Sequence, residues 1–396
     1  MPDKAKKYEP PDSPTSVGWT EAKHIRLFSE EEPFELESGG TIGPIDIEYE
    51  TYGELSPAKD NVILVAHALS GDAHAAGWDK RAEETGRTYR VDHPGWWDTM
   101  IGPGKPLDTN RFHIMCMNYL GSCYGTTGPS SIDPSTGKPY GLQFPEVNVS
   151  DWVRLQAKML DALGIGDVLC VVGGSLGGQQ AIEWSLAYPE RVRKCVVLAA
   201  SRRLSTQGLA FNAVGRYSIL NDPNFNNGDY YDGAPPAAGL AAARMLAHIT
   251  YLSDEGMHER FGRSLQKGVE EQPDDRFGVQ FKVESYLDYQ GRSFVQRFDA
   301  NSYLYISRAM DHYDAAEQWG HGDLAAACSR IQSQVMVVSF SSDWLYPPAR
   351  CYTFALALSR NRKPVTYVEV PSRYGHDAFL VETKPVGHLL TSFLKR

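Results

Sequence analysis

One stretch limits the folds open to this chain more than any other: VLCVVGGSLGGQQAIEWSLA, residues 168–187. It opens as an apolar, β-branched run, the pattern of a strand buried on both faces. It turns on Gly173-Gly174-Ser175-Leu176-Gly177 and continues as a helix. Five more runs of the first kind follow the same pattern: NVILVA (61–66), RFHIMCMN (111–118), KCVVLAA (194–200), QVMVVSF (334–340) and VTYVEV (365–370). Helical patterns lie between several of them, such as DWVRLQAKMLDALG (151–164), which stops at Gly164. The alternation predicts an α/β fold, a mostly parallel sheet with helices on both faces. The stretch TIGPIDIEYETYGEL (41–55) alternates in hydrophobicity and suggests an antiparallel hairpin at one edge.

One interval breaks the rhythm. Residues 201–333 separate two strand-like runs, whereas a crossover needs only a dozen or so residues. GLAAARMLAHITYL (239–252) and SYLYISRAMDHYDAAEQW (302–319) each fit one amphipathic helix. The interval therefore reads as a helical cap over the C-terminal edge of the sheet, where ligands bind in such folds. The expected division is a polar, Pro-rich disordered tail over 1–18, a core over 19–204 and 325–396, and the cap over 205–324.

Composition narrows the partners. A net charge of -10 opposes binding to nucleic acid or an anionic membrane, both of which require a basic face. No apolar run approaches a membrane span, and the N-terminus lacks the apolar stretch of a signal peptide. None of the six cysteines forms a C-x-x-C pair, and three of them (Cys116, Cys170, Cys195) sit in apolar strand runs. Reduced, buried thiols in a cytoplasmic protein are expected. The eleven histidines contain no H-E-x-x-H, and no metal is expected.

The serine carries the chemistry. Gly173 to Gly177 fits G-x-S-x-G, a weak signal alone, but here a strand precedes it and a helix follows. That context describes a nucleophile elbow rather than a serine cap. The helix N-terminus points its partial positive charge at the turn. In this fold the acid and then the base follow in chain order. Asp343 stands at the end of QVMVVSF, and His376 in the loop after VTYVEV. His376 would take the Ser175 proton, with Asp343 orienting the ring. Asp377 is a rival for Asp343, but adjacency to His376 makes its approach to the ring awkward. Two backbone N–H groups should hold the oxyanion, that of Leu176 and one from His67-Ala68-Leu69-Ser70-Gly71, for which Leu69 is chosen. His67 and His74 read as structural.

Several segments together resemble the homoserine O-acetyltransferases of the α/β-hydrolase superfamily. They are VAHALSGDAH (65–74), NYLGSCYGTTGPSSIDPSTGKPYG (118–141), GGSLGGQQAIEW (173–184), FNNGDYYDG (225–233) and FDANSYLYISRAMDHYD (298–314). The resemblance runs from about residue 20 to the end. It implies a triad at Ser175, Asp343 and His376 and oxyanion donors at Leu69 and Leu176. It also implies a cap arginine, here Arg216, on the substrate carboxylate, and Asp377 on the amino-acid substrate. Members of that family are typically homodimers joined through cap helices. Leu176 stands where the family often has Met, which matters little for a backbone donor. Gln179-Gln180 also departs from its commonest form and leaves the acyl preference open.

The activity implied is ping-pong transfer of acetyl from acetyl-CoA, a co-substrate, to L-homoserine in methionine biosynthesis, with no bound cofactor. The alternatives are succinyl-CoA as donor or serine as acceptor, a plain serine esterase, and a non-catalytic protein on a dead hydrolase fold. A succinyl pocket would need an additional cation, for which Arg202, Arg203 and Arg373 lie near candidate segments.

Overall fold

The computed structural model describes residues 8–266 and 277–395. An eight-stranded sheet organises it: β1 (Lys23–Leu27), β2 (Ile45–Tyr52), β3 (Val62–Ala66), β4 (His113–Met117), β5 (Val168–Gly174), β6 (Val192–Leu198), β7 (Gln334–Phe340) and β8 (Val365–Val370). Their spatial order is β8-β7-β6-β5-β3-β4-β2-β1. Neighbours from β4 through β8 are parallel, and β2 runs antiparallel to both β4 and β1. The six sequence runs are thus the six parallel strands. Every residue of β3 is buried, which is why that strand reads as unbroken apolar sequence. The edge hairpin differs from expectation. Residues 41–55 hold one long strand, β2, and its outer partner is the upstream KHIRL segment of β1.

Helix α1 (Val149–Ala162) starts at a reciprocal cap, in which Asn148 accepts from Asp151 N–H and the Asp151 carboxylate accepts from Asn148 N–H. Helix α2 (Leu176–Ala187) follows Ser175. Between β6 and β7 come α3 (Thr206–Leu220), α4 (Ala237–Tyr251), α5 (Asp254–Phe261), α6 (Lys282–Val295), α7 (Ala300–His312), α8 (Ala315–Gly320) and α9 (Leu324–Ser329). Helices α10 (Pro348–Arg360), α11 (Ala378–Val381) and α12 (Thr383–Lys395) complete the chain. Two apolar cores result, one on each face of the sheet. Trp152 and Trp184 lie in the first, Leu390 and Phe393 in the second.

The helix expected over 302–319 is broken at Tyr313-Asp314. Asp314 leaves the helical conformation, caps α8 through Ala316 N–H, and takes both Arg202 (2.6 Å) and Arg203 (2.8 Å). One carboxylate therefore ties together the two points where the chain leaves and rejoins the sheet layer. Helices α8 and α9 pack against α2 and α10, so the chain rejoins that layer near Asp314 rather than at residue 325. The tail expected over 1–18 also needs correction from Tyr8 onward. There Glu9 C=O accepts from Trp78 Nε1 (3.1 Å), Tyr8 packs on Trp78 and His93, and Ser16 is buried. Residues 1–7 of that tail and 267–276 of the expected cap lie outside the described residues.

Candidate active site

The turn at Ser175 is built by close approach. Ser175 has φ 56° and ψ −123°, a conformation costly for any side chain, on the order of 1–3 kcal/mol. Its neighbours leave no room for a methyl group. A Cβ on Gly173 would lie 2.2 Å from Gly177 O, and one on Gly177 would lie 2.0 Å from Ala66 O. The glycines let α2 start directly against the end of β3, which lifts Ser175 out of the sheet.

Ser175 Oγ lies 2.8 Å from His376 Nε2, and His376 Nδ1 lies 2.8 Å from Asp343 Oδ2. The other carboxylate oxygen of Asp343 accepts from the N–H groups of Leu345 (3.0 Å) and Tyr346 (2.9 Å). All three side chains are buried. Burial alone would lower the pKa of His376, but the facing Asp343 carboxylate outweighs it, and the ring titrates above its ordinary value. Tyr346 stacks on the same ring, 5.4 Å between centroids. The structure thus brings Ser175, His376 and Asp343 into one line, with Asp377 outside it.

A cavity of about 40 Å³ opens above Ser175, lined among others by Leu69, Phe211, Ala247, Tyr251, Tyr303 and Met310. Helices α3, α4 and α7 roof it. The Leu69 N–H makes no hydrogen bond among the described residues. The Leu176 N–H is the first of α2 and has no partner one turn back. His67 is buried and stacked on Tyr119, and burial takes its pKa down to about 4. His74 Nδ1 meets the Glu50 carboxylate at 3.0 Å. Among the described residues no cluster of three or more His, Cys, Asp or Glu could hold a metal.

Arg216 does not line this cavity. Its guanidinium is bonded to Asp311 (2.6 Å) and Ser307 (3.2 Å), and Asn212 holds the second Asp311 oxygen. Arg202, Arg203 and Arg373 are likewise occupied, the first two by Asp314 and the last by Glu259. Another cap arginine, Arg244 of α4, also lies outside the cavity lining but is near enough to Asp377 to act on it electrostatically. It donates to Ser70 Oγ (3.1 Å), stacks on Phe294 and Tyr251, and forms no ion pair among the described residues. Burial depresses its pKa. Burial raises Asp377 above the ordinary carboxylate range, against the pull of His376 and Arg244. A cation and an anion, neither in an ion pair among the described residues, therefore lie close to each other near His376. Sequence reasoning missed Arg244. Its signal was an arginine in the buried stripe of α4, beside Leu240, Ala243 and His248.

Comparison with known proteins agrees with this fold. A family profile described as the alpha/beta hydrolase fold matches residues 61–383. The chain is 47% identical over 389 residues to a homoserine O-acetyltransferase of Solidesulfovibrio magneticus, covering 97% of this chain and 94% of the relative. It is 50% identical over 371 residues to a homoserine O-succinyltransferase of Burkholderia cenocepacia, covering 92% and 94%. Among solved structures it is similar to homoserine O-acetyltransferase from Bacillus anthracis, at TM-score 0.85, 26% identity, and 95% and 98% coverage. It is similar also to esterase E22, at TM-score 0.83, 29% identity, and 95% and 100% coverage.

Proposed function

The chain belongs to the α/β-hydrolase fold family and, within it, to the homoserine O-acyltransferases, and on that premise we propose that it carries acetyl from acetyl-CoA to the hydroxyl of L-homoserine through an acetyl-Ser175 intermediate. The observation that carries this reading is the Ser175–His376–Asp343 relay at the foot of a small roofed cavity.

Ser175 Oγ attacks the thioester carbonyl while His376 Nε2 takes its proton. The oxyanion is received by the N–H groups of Leu69 and Leu176, at the positive end of α2. The C–S bond breaks, and His376 returns the proton to the departing thiolate. Homoserine then gives its hydroxyl proton to His376 and attacks the acetyl carbonyl, and Ser175 is regenerated. Asp343 keeps Nδ1 protonated, so Nε2 faces the serine as acceptor. A zwitterionic acceptor needs a cation for its carboxylate and an anion for its ammonium. Arg244 and Asp377 supply that pair. Arg216, which the resemblance places on the substrate carboxylate, is bonded to Asp311 of α7 and remains the alternative cation.

Space and charge support acetyl as the donor. The small cavity at Ser175 favours the three heavy atoms of acetyl over the seven of succinyl. The three arginines that could have met a second carboxylate are already paired. The second reading, succinyl transfer, is favoured by the Burkholderia relative. Acetyl-CoA and succinyl-CoA, each with L-homoserine and with L-serine, separate the readings by CoA release. Turnover only with acetyl-CoA and homoserine is expected, and faster turnover with succinyl-CoA would reassign the donor. We also infer a cytoplasmic homodimer. Leu209, Val214, Tyr217 and Leu220 leave α3 with an exposed apolar face of the kind a second copy covers, which sedimentation would test.

A further inference from the structure

We propose that Tyr119 is a positioning residue whose hydroxyl aims the Leu69 N–H at the oxyanion. The proposal rests on Ser175 as nucleophile and Leu69 as an oxyanion donor. A peptide plane is rigid and trans, so its N–H points opposite to the carbonyl of the preceding residue. The direction of Leu69 N–H is therefore set by whatever holds Ala68 C=O. That oxygen accepts from Gly71 N–H (3.0 Å) and from Tyr119 OH (3.2 Å), and His67 Nδ1 lies 2.9 Å away. The next carbonyl, Leu69 C=O, takes the shorter contact from Tyr119 OH, 2.7 Å, its one partner among the described residues. One phenol thus touches both planes that meet at the Leu69 Cα and fixes the backbone on each side of it. On the far side, Ser70 C=O is held by Arg297 (3.0 Å).

The phenol is itself held rigidly. Tyr119 follows β4 and is 1% exposed. Its ring is stacked between His67 and Trp152, each 4.4 Å away between centroids. Trp152 is fixed in turn by its indole N–H on Leu120 C=O (2.8 Å). A loop donor is useful to catalysis only if it need not reorganise as charge develops. This stack braces the loop against the sheet beneath it.

Tyr119→Phe removes one oxygen and keeps the stack. Removing an oxyanion donor outright slows turnover by roughly a hundred- to a thousandfold. A donor that is present but loosely aimed should cost about ten- to a hundredfold. Both half-reactions pass through an oxyanion, so both should slow together while the homoserine Michaelis constant stays put. The affinity of a trifluoromethyl ketone, which forms a tetrahedral oxyanion on Ser175, should weaken by the same factor. That adduct forms whatever the natural donor, so it judges the clamp even if acetyl-CoA proves the wrong substrate. Absence of acetyl-Ser175 in the wild type would sink the acetyl reading separately. Trp152→Phe loosens the stack but keeps the hydroxyl. It should lower the melting temperature and weaken the ketone less than Tyr119→Phe does. The proposal is overturned if Tyr119→Phe binds the ketone as tightly as wild type. It is equally overturned if only the titre of active sites falls, or if Trp152→Phe weakens the ketone as much.

Discussion

Replacing Arg244 and Arg216 separately tests the acceptor site most sharply, because Arg216 is in an ion pair and Arg244 is in none among the described residues. Arg244 has no ion-pair partner among the described residues and one hydrogen bond, to Ser70 Oγ. Its charge stands available to a ligand carboxylate. Losing a charge-assisted hydrogen bond costs about 1.5–3 kcal/mol, which is ten- to more than a hundredfold in an apparent dissociation constant. Arg244→Ala should therefore raise the homoserine Michaelis constant by that factor. Arg244→Lys should recover part of it, since lysine keeps the charge but loses the planar fork. Acetylation of Ser175 by acetyl-CoA should be largely spared, as homoserine is absent from that step. Arg216→Ala should behave differently. It strands Asp311, whose side chain is 10% exposed. Lying between exposed and fully buried pairs, the loss should be about 2 kcal/mol of stability. A melting temperature lower by a few degrees, with the homoserine Michaelis constant nearly unchanged, is the expected signature. Burst acetylation, steady-state kinetics in homoserine and thermal melts read all of these. An unchanged Michaelis constant in Arg244→Ala with a steep rise in Arg216→Ala would refute the assignment.

Ser175→Ala should lower acyl transfer by a factor on the order of 10⁴ or more while the melt stays close to wild type, and comparable turnover would remove Ser175 as nucleophile. Asp343→Asn should favour the wrong tautomer of His376 and lower the rate by roughly 10⁴; it should also move the acid limb of the pH–rate profile down, because the carboxylate that raises the His376 pKa is gone. Asp377→Asn should spare Ser175 acetylation but increase the share of acetyl-enzyme lost to water, measured as acetate formed per CoA released. Glu183, buried on the nucleophile helix α2 and bonded to Ser150 (2.6 Å) and Trp319 (2.9 Å), has its pKa raised by burial from 4.5 to about 7. The folded state then holds a proton that the unfolded state releases, so this group's contribution to stability falls as pH rises from about 4.5 to 7, by roughly 3 kcal/mol. Glu183→Gln should flatten that decline in urea midpoints taken between pH 5 and 8, and an unaltered slope would refute the shift.

The legible parts of the molecule were those where burial leaves no choice of residue type. Strands covered on both faces must be apolar throughout, so β3 to β7 stand out in the sequence. The edge strand β1 must instead discourage pairing, and its Lys23, His24 and Arg26 hide it from a hydrophobicity pattern. Ser175, Asp343 and His376 were legible because strand ends fix where loop side chains can meet. Which cap arginine meets the acceptor was not legible. Arg216 and Arg244 both sit on cap helices, and only tertiary packing shows Asp311 on the first and no ion pair on the second among the described residues. The break at Tyr313-Asp314 was equally hidden, since its cause is Arg202 and Arg203, more than a hundred residues away in the chain.

Fold and elbow alone do not separate transfer from hydrolysis, since esterase E22 has a closely similar fold. Water reaches an acyl-serine at tens of molar, and it needs no binding site. An acceptor hydroxyl competes only if its effective concentration is far higher, and well-oriented intramolecular reactions reach roughly 10⁵ M or more. Such orientation requires at least two fixed points on the acceptor besides the reacting oxygen. Homoserine offers an ammonium and a carboxylate, and the cap and the base loop offer Asp377 and Arg244. The two come from different parts of the chain, Arg244 from α4 and Asp377 from the residue after the base. Only with the inserted helices folded over the sheet do the two lie close to each other near His376. The Asp314 tie across Arg202 and Arg203 holds the two points where that insertion meets the sheet layer. Cap docking, rather than the triad, is thus where this fold would turn a hydrolase into a transferase.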